Sequence, residues 1–286
     1  YNERTADYRG QETVFAATPN VYLVPVGTDR MRVPGSDGEE IAEFTVLDQT
    51  VPAPYPVTPA EIAANQVVDS KRFSEMVKRE FYVDAENGVD DDAHDGTEPA
   101  KAKRSLAEIF KIANQPYDAV WALPGTYALG EDVANKVRTR CVIPEKVRLA
   151  STGGASVTFI KGAKTEGAEK GVGEDSIRAV YMNPGSKLYG FTLTDSSTID
   201  NASIAGGALW VGGRCIVKDC VISNCASKGG IINSTSVEGA SYPEDRSVFL
   251  RCVMQDNESG SATTRGIEGS CYAAVNCRLS LDESYY

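Results

Sequence analysis

The sequence predicts an all-β protein: a right-handed parallel β-helix (a solenoid) with an N-terminal capping helix and a small N-terminal accessory region. Short apolar strands recur from about residue 117 onward, Asn and Gly corners separate them, and cysteines return at one repeat position. Taking Phe191, Cys220, Cys252 and Cys277 as equivalent gives steps of 29, 32 and 25 residues (220 − 191, 252 − 220, 277 − 252). Solenoid repeats span about 20–50 residues, and a four-stranded propeller blade needs roughly 40, so one coil per repeat is favoured.

Residues 1–57 are expected to form a β-rich accessory or docking segment. Two strand-like runs, residues 21–26 (VYLVPV) and 41–47 (IAEFTVL), are separated by Pro-Gly and Asp-Gly turn signals. Residues 51–57 (VPAPYPV) contain three prolines. Each proline fixes φ and removes a hydrogen-bond donor, so this tract predicts a stiff linker at the end of the segment.

Residues 58–116 are expected to form a helical cap region that contains an acidic loop. A capping box at residues 58–61 (TPAE), with proline at the first helical position, predicts a helix, and apolar spacing around residues 73–77 predicts another. A second capping box, residues 105–108 (SLAE), starts a short helix that ends before Pro116. A strand, an acidic loop and a helix ahead of a strand series are typical of a cap that hides the open core of a solenoid.

Residues 117–286 are expected to form the parallel β-helix itself. Its later coils align at residues 217–224, 249–256 and 274–279, each with a cysteine between two short strands. A second marker, which precedes these units in the same order, is GGALW (206–210), GGIIN (229–233) and RGIE (265–268). The glycines suit corners at which the backbone must turn without a Cβ.

Two stretches carry a resemblance to a known superfamily. FYVDAENGVDDDAHDGTEPAKAKRSLAEIF (81–110) followed by AVWALPGTY (119–127) resembles the entry segment of secreted pectate-lyase-like right-handed β-helix proteins. GGALWVGGRCIVKDCVISNCA (206–226) resembles the GGA-type and Cys/Asn coil repeats of bacterial surface β-helices, adhesins included. The resemblance covers roughly residues 81–286 and implies an extracellular or cell-surface protein. It leaves the activity open, because the superfamily holds lyases, hydrolases, tailspikes, adhesins and structural proteins.

The charge balance argues against nucleic acid as a partner. Lys and Arg number 29 and Asp and Glu 40, so the net charge is −11 and the pI is about 4.8. Such a field repels a phosphate backbone. No apolar run approaches the roughly 18 residues of a spanning helix, so no direct membrane span is expected.

The cysteines and the single histidine restrict the chemistry. The seven cysteines include no Cys-x-x-Cys pair, which disfavours zinc and thioredoxin-type sites. Cys220, Cys252 and Cys277 share one repeat position; their side chains would point in parallel, so free buried thiols are favoured over disulfides, whereas Cys215, Cys225 and Cys271 lie nearer the corners, where a bridge forms more easily. The histidine, His94, is expected to be a solvated loop residue.

The acidic loop is a candidate calcium site. Asp84, Asp90, Asp92 and Asp95 offer oxygen ligands of the kind that calcium prefers, although their spacing does not match an EF-hand. The alternative is a solvated loop with Asx turns at Asn87-Gly88 and Asp95-Gly96.

A lyase centre is conceivable on the side of the coils. A polyuronate lyase needs a cation or metal against the substrate carboxylate and a base beside the reacting proton, and Lys218, Asp219 and Arg251 occupy near-equivalent positions of successive coils. The alternative is a salt bridge between neighbouring coils, such as Asp219 with Arg251. For a hydrolase, Asp195, Asp200 and Glu268 offer carboxylates whose separation the sequence does not define.

Aromatic side chains are the candidate binding residues. Trp210, Tyr189 and Tyr181 could stack on sugar rings from an outer face, or could equally pack in the core.

Three functions remain open from the sequence. We favour a non-catalytic structural or adhesive surface protein that associates with other copies of itself, or with surface proteins, through open ends. The second is a secreted polysaccharide lyase or glycoside hydrolase that acts on acidic polysaccharide, and the third is a non-catalytic glycan-binding module. Calcium is the only cofactor that the sequence suggests.

Overall fold

A computed structural model of the chain describes residues 30–32, 40–43, 77–199, 201, 204–235, 247–259, 266–268 and 272–279. The chain divides into two compact units, Tyr1–Glu75 and Met76–Tyr286. In the first unit, strands β1 (Arg30–Arg32) and β2 (Glu40–Glu43) pair antiparallel, and β2 overlaps the strand predicted at residues 41–47. The predicted strand at residues 21–26, the linker at 51–57 and the helices predicted between residues 58 and 77 lie outside the described residues, apart from Val77.

The second unit contains three main β-sheets. Sheet A is parallel throughout. In spatial order its strands are β3 (Arg79–Val83), β4 (Asp118–Ala122), β8 (Arg148–Ser151), β11 (Lys187–Tyr189), β14 (Ile216–Lys218), β18 (Ser247–Leu250) and β22 (Tyr272–Val275).

Sheets B and C hold the other main strands. Sheet B consists of β5 (Gly125–Tyr127), β9 (Thr158–Lys161), β12 (Thr192–Thr194), β15 (Val221–Ser223), β19 (Val253–Gln255) and β23 (Arg278–Leu279). Sheet C consists of β6 (Asp132–Ala134), β7 (Val137–Ile143), β10 (Arg178–Met182), β13 (Leu209–Val211), β17 (Ile232–Ser234) and β21 (Ile267–Glu268). Only β6 runs antiparallel to its neighbour among these described strands. Two short strands, β16 (Ala226–Ser227) and β20 (Glu258–Ser259), form a separate parallel pair.

The chain visits sheets A, B and C in turn, and parallel neighbours within a sheet come from successive repeats. In sheet A, Tyr189 pairs with Lys218, Lys218 with Leu250, and Leu250 with Val275. The offsets are 218 − 189 = 29, 250 − 218 = 32 and 275 − 250 = 25 residues, which are the steps that the cysteine alignment predicts. The predicted parallel sheets are confirmed, and the topology is consistent with an all-β, solenoid-like fold.

A continuous apolar row explains why these strands stack. Along sheet A, in-register residues of successive strands are all buried and belong to one hydrophobic core. They are Phe81, Val120, Leu149, Leu188, Val217 and Phe249. Each strand alone could bury only one side of such a residue, so neighbouring repeats stabilise one another.

Residues in the left-handed backbone region form the corner between sheets A and B. Gly190, Asp219, Arg251 and Asn276 follow equivalent strands and have φ values of 75°, 54°, 53° and 54°. Glycine, Asn and Asp enter this region most readily, which agrees with the predicted Asn/Gly corners.

One short helix packs on the core near β3. Helix α1 (Leu106–Ile112) begins at Ser105, whose Oγ accepts a hydrogen bond from the Glu108 backbone N–H at 3.3 Å. Leu106, Ile109 and Phe110 are buried in the common core. The helix predicted to start at residues 105–108 is therefore confirmed, but only half of the capping box forms, because the Ser105 backbone N–H donates to the Asp90 Oδ1 rather than to Glu108. A single-turn 3₁₀ helix spans Pro99–Lys101, and Glu169–Gly171 forms a turn in which Lys170 has a non-helical φ of 56°. No helix in the described ranges is long and apolar enough to cross a membrane.

Candidate functional site

A row of half-buried side chains crosses the outer face of sheet C. Val142, Tyr181, Trp210, Asn233 and Glu268 stand in register on five adjacent strands. Residues on either side of them in the strands are buried, so alternation places these five side chains on the opposite, outer face. At a strand spacing of about 4.8 Å, four steps give a row about 19 Å long. We call this set the outer row.

Tyr181 and Trp210 stack within the outer row. Their ring centroids are 4.3 Å apart and the ring planes differ by 4°. One face of each ring is therefore covered by the other ring, and both side chains are half-buried. Burial raises the pKa of Tyr181, although the nearby Arg178 charge opposes this shift. The phenol consequently stays protonated at neutral pH and can donate a hydrogen bond.

A buried arginine fixes the backbone that carries Trp210. Arg178 is fully buried; its Nε donates to the Gly206 carbonyl at 2.7 Å, and its Nη2 to the Ala205 carbonyl at 3.2 Å. Its Nη1 donates to the Ala134 carbonyl at 3.3 Å. Burial lowers the pKa of Arg178 to about 10, so the guanidinium remains charged at neutral pH. It ties the segment before β13 to strand β10, and thereby holds Trp210 against Tyr181.

Sequence reasoning did not identify Arg178, although a signal was available. In the run IRAVYM, residues 177–182, a period of two places Arg178 on the same side as Val180 and Met182. A charge on the apolar side of a strand must find hydrogen-bond partners inside. A charged residue at an apolar position of a strand therefore predicts buried hydrogen bonds to that side chain, as Arg178 makes here.

Asn233 and Glu268 add polar groups at one end of the outer row. The Glu268 Oε2 accepts a hydrogen bond from the Gly230 backbone N–H at 3.0 Å. A Cβ at Gly229 would lie 2.6 Å from that oxygen, so glycine is what allows the carboxylate to approach. Asn233 was visible in the GGIIN repeat, but no repeat position by itself identifies an amide as a binding group.

The predicted lyase residues lie together elsewhere, on sheet A and its corner. Tyr189 and Lys218 are paired on adjacent strands, and the Lys218 Nζ lies 5.3 Å from the centroid of the Tyr189 ring. Lys218 is only 3% exposed. Because Tyr189 belongs to sheet A, it lies on a different sheet from Tyr181 and Trp210, which belong to sheet C.

The neighbouring charges form an ion pair. Arg251 donates to Asp219 in a bidentate manner, with Nε to Oδ1 at 2.6 Å and Nη2 to Oδ2 at 2.9 Å. The two side chains are 24% and 40% exposed, respectively. This is the salt bridge between repeats that the sequence offered as the alternative to a lyase centre.

Two of the carboxylates considered for a hydrolase, Asp195 and Glu268, lie at different sheets. Asp195, which follows β12 of sheet B, accepts a hydrogen bond from the Asn224 amide and pairs with the Lys161 Nζ at 3.1 Å. Glu268 lies in sheet C. Asp200 is outside the described residues.

Three carboxylates of the acidic loop accept hydrogen bonds from nearby backbone N–H groups. Asp84 accepts the backbone N–H groups of Glu86 at 2.9 Å and Asn87 at 3.1 Å, and the Asp95 Oδ1 accepts that of Thr97 at 3.0 Å. The Asp90 Oδ1 accepts the Arg104 backbone N–H at 2.8 Å.

No metal-binding cluster is seen in the acidic loop. Among the residues that the structure describes, no three His, Cys, Asp or Glu side chains are placed to hold a metal ion. Calcium binding by Asp84, Asp90, Asp92 and Asp95 stays a prediction. His94 lies in this loop as expected, with its Nδ1 2.6 Å from the Asp91 Oδ1.

The described cysteines are all free thiols. Cys141, Cys215, Cys220, Cys225 and Cys252 are buried, and Cys277 is half-buried. The predicted preference for free thiols at Cys220, Cys252 and Cys277 is confirmed. No bridge forms at Cys215 or Cys225, and Cys271 lies outside the described residues.

Comparison with known proteins gives loose structural likenesses only. No family model and no curated protein sequence matches the chain. A rhamnogalacturonan lyase structure is similar with a TM-score of 0.41 and 11% identity, over 70% of this chain and 56% of that chain. The GH136 lacto-N-biosidase from Eubacterium ramulus is similar with a TM-score of 0.38 and 14% identity, over 76% of this chain and 42% of that chain. The chain thus spans about half the length of the solved structures it matches.

Proposed function

We propose that the protein is a right-handed parallel β-helix at the cell exterior that binds a neutral polysaccharide along the outer row of sheet C, without cleaving it. It would serve as a surface or adhesive protein attached to that glycan. The right-handed sense of the β-helix is supported by its parallel strands, because crossover connections between parallel strands of one sheet are right-handed in about 98% of cases.

The stacked Tyr181–Trp210 pair in line with Asn233 and Glu268 is the observation that carries this proposal. Sugars present apolar C–H groups beside hydroxyls. Aromatic side chains offer apolar area with a polar edge, and amide and carboxylate groups hydrogen-bond hydroxyls. The row supplies these groups over three strand steps, a line about 14 Å long. A polyanion would be repelled by Glu268 and by the net charge of −11, which favours a neutral glycan.

The state of the charged residues on sheet A supports a non-catalytic role. Arg251 is engaged by Asp219 in both hydrogen bonds of a bidentate pair, and Lys218 is buried beside the Tyr189 ring. A lyase would require a cation against the substrate and a base within hydrogen-bond reach of the reacting proton. Lyase action on acidic polysaccharide remains the alternative, and it predicts unsaturated products that diminish with Lys218→Ala.

Binding to a panel of neutral and acidic polysaccharides tests the proposal. In affinity electrophoresis, we expect a neutral polysaccharide to retard the protein and the acidic ones to leave it unaffected. Trp210→Ala should weaken binding about tenfold, since losing an aromatic contact costs roughly 1.4 kcal/mol. Trp121→Ala is the matched control, because Trp121 is half-buried on sheet A and donates from its Nε1 to Glu80 at 3.2 Å.

Two outcomes would contradict the proposal. One is equal weakening by Trp210→Ala and Trp121→Ala in folded variants, which would remove sheet C as the binding face. The other is the appearance of new reducing ends or unsaturated sugars during incubation, which would show cleavage. Self-association and calcium binding stay predictions, to be tested by concentration-dependent sedimentation and by the melting temperature in added calcium.

A further inference from the structure

Three thiols stand in one row where the chain leaves sheet A for sheet B. The strand register makes Cys220, Cys252 and Cys277 equivalent on successive repeats. The row is uneven, because Cys220 and Cys252 are buried whereas Cys277 is half-buried. Adjacent strands are about 4.8 Å apart, which is within the Cα separation of about 4.4–6.8 Å that a disulfide tolerates, and a bond requires one thiol to rotate out of the parallel orientation that favours free thiols.

Cys277 has the surroundings of a nucleophile. Its sulfur accepts a hydrogen bond from the Cys252 backbone N–H at 3.4 Å, and its thiol donates to the Val275 and Phe249 carbonyl oxygens, each at 3.4 Å. The adjoining Cys252 thiol and its backbone N–H lower the pKa of Cys277 to about 7. Partial burial acts in the opposite direction but is outweighed.

The other two thiols in the row lack this character. The neighbouring Cys277 thiol and burial raise the pKa of Cys252, whose thiol donates to the Val217 and Leu250 carbonyl oxygens, each at 3.5 Å. Burial raises the pKa of Cys220 to about 12. Thiolates, not thiols, are the attacking species, so the row holds one accessible nucleophile beside one protonated partner.

We infer that Cys277 and Cys252 form a dithiol site that a low-molecular-weight disulfide oxidises to a bond between adjacent repeats, with Cys277 attacking and Cys252 resolving. The Cys277 thiolate attacks one sulfur of the reagent, whose S–S bond breaks and releases one thiolate. Cys252 then loses its proton and attacks the Cys277 sulfur, displacing the second thiolate. The protein loses two hydrogens, and the reagent is reduced to two thiols.

Oxidised glutathione is the probe for this reaction. We expect the folded protein to lose the mass of two hydrogen atoms and to yield one cross-linked peptide pair that contains Cys252 and Cys277. The rate should rise with pH around a midpoint near 7, as the pKa of Cys277 requires. Fully buried thiols such as Cys141 should react at least about tenfold more slowly unless the protein unfolds.

Variants separate the two roles. Cys277→Ser should abolish the cross-link and the fast reaction, whereas Cys252→Ser should stop the reaction at a stable glutathione adduct on Cys277. Cys141→Ser, a buried thiol on β7 of sheet C, is the matched control and should leave the cross-link unchanged.

The wild-type protein alone can overturn the inference, so it does not depend on the variants folding. A glutathione adduct that persists on Cys277 would remove Cys252 as the resolving thiol. A cross-link from Cys277 to Cys271 or Cys220 would assign a different partner, and first reaction at any other cysteine would remove Cys277 as the nucleophile.

Discussion

At the scale of single residues, four residues at the corner between sheets A and B have a left-handed backbone conformation. Gly190 has no Cβ, and Asp219 and Asn276 belong to residue types that tolerate this conformation. Arg251, at φ 53°, has no such advantage. Its bidentate pair with Asp219 contributes only about 0–1 kcal/mol at this exposure, so Arg251 stays in the corner largely because the repeat requires it.

Replacing Arg251 separates backbone strain from the ion pair. Arg251→Gly and Arg251→Ala both remove the pair with Asp219, but only glycine relieves the left-handed strain. We expect the alanine variant to be less stable than the glycine variant by about 1 kcal/mol. Urea unfolding midpoints measure the difference. Equal stabilities, or a more stable alanine variant, would mean that the corner relaxes and stores no strain.

Single residues also show how much of the fold and of the candidate site the sequence predicts. The Cys220, Cys252 and Cys277 equivalence was derived correctly because each cysteine has similar neighbours in its repeat. The 29-residue step from Phe191 to Cys220 also makes Tyr181 equivalent to Trp210 (210 − 181 = 29), so their pairing follows from the same repeat. The step does not say which face of the strand the two rings occupy, so outward stacking and core packing stayed open until the structure placed them.

At the scale of elements, the acidic loop and helix α1 form a connected structure beside β3. The Asp90 Oδ1 accepts the backbone N–H groups of Arg104 and Ser105, at 2.8 and 3.1 Å, just before α1 begins. The buried Tyr127 hydroxyl donates to the carbonyls of Val83 and Leu123 and joins the loop's entry strand to the next repeat. Carboxylates in this loop therefore order the backbone, whatever their affinity for calcium.

Asp84 should make the stability of this loop depend on pH. Burial opposes its ionisation, but N–H groups of Asn87 and Glu86 outweigh that effect and lower the pKa of Asp84 below its ordinary 3.8. A lowered folded-state pKa means that this stabilisation is fully present above about pH 3.8 and is lost as the pH falls through the folded value.

Asp84→Asn tests this dependence in chemical unfolding at pH 7 and pH 3. We expect a loss of about 1 kcal/mol at pH 7 and a smaller difference from the wild type at pH 3. Asp92→Asn, at an exposed position of the same loop, is the control and should change stability by less than about 0.5 kcal/mol. A constant difference across this pH range would show that the Asp84 charge does not matter.

At the scale of the whole molecule, the repeat pattern predicted the stacking of strands better than it predicted the surface. Apolar side chains in the continuous apolar row of sheet A, here called the inner row, must face the core. The spacing of residues such as Leu188 and Val217 along the sequence therefore determines which strands stack. Residues on the outer face have no comparable constraint: Lys218, a candidate lyase residue, is buried, while Asn233 and Glu268 are half-buried in the outer row. Function at such a surface follows from register and neighbours, which a single sequence specifies only indirectly.

The stacking of repeats also predicts how damage spreads through the molecule. Phe249 lies between Val217 and Ala274 in the inner row and meets the Tyr272 ring edge-on, with centroids 6.0 Å apart. Phe249→Ala should cost about 3–5 kcal/mol locally, because it leaves a cavity in the core. Each repeat contacts mainly its neighbours, so the loss should not reach distant strands.

Hydrogen exchange followed by mass spectrometry measures this spread. We expect Phe249→Ala to accelerate exchange in strands β14, β15, β22 and β23 and to leave β3 and β4 near wild-type protection. Phe81→Ala, at the opposite end of the same row, is the matched control and should give the reverse pattern, because Phe81 is equally buried and packs beside Val120. Acceleration throughout the described strands in both variants would mean that the repeats unfold as one cooperative unit, and would contradict nearest-neighbour stabilisation.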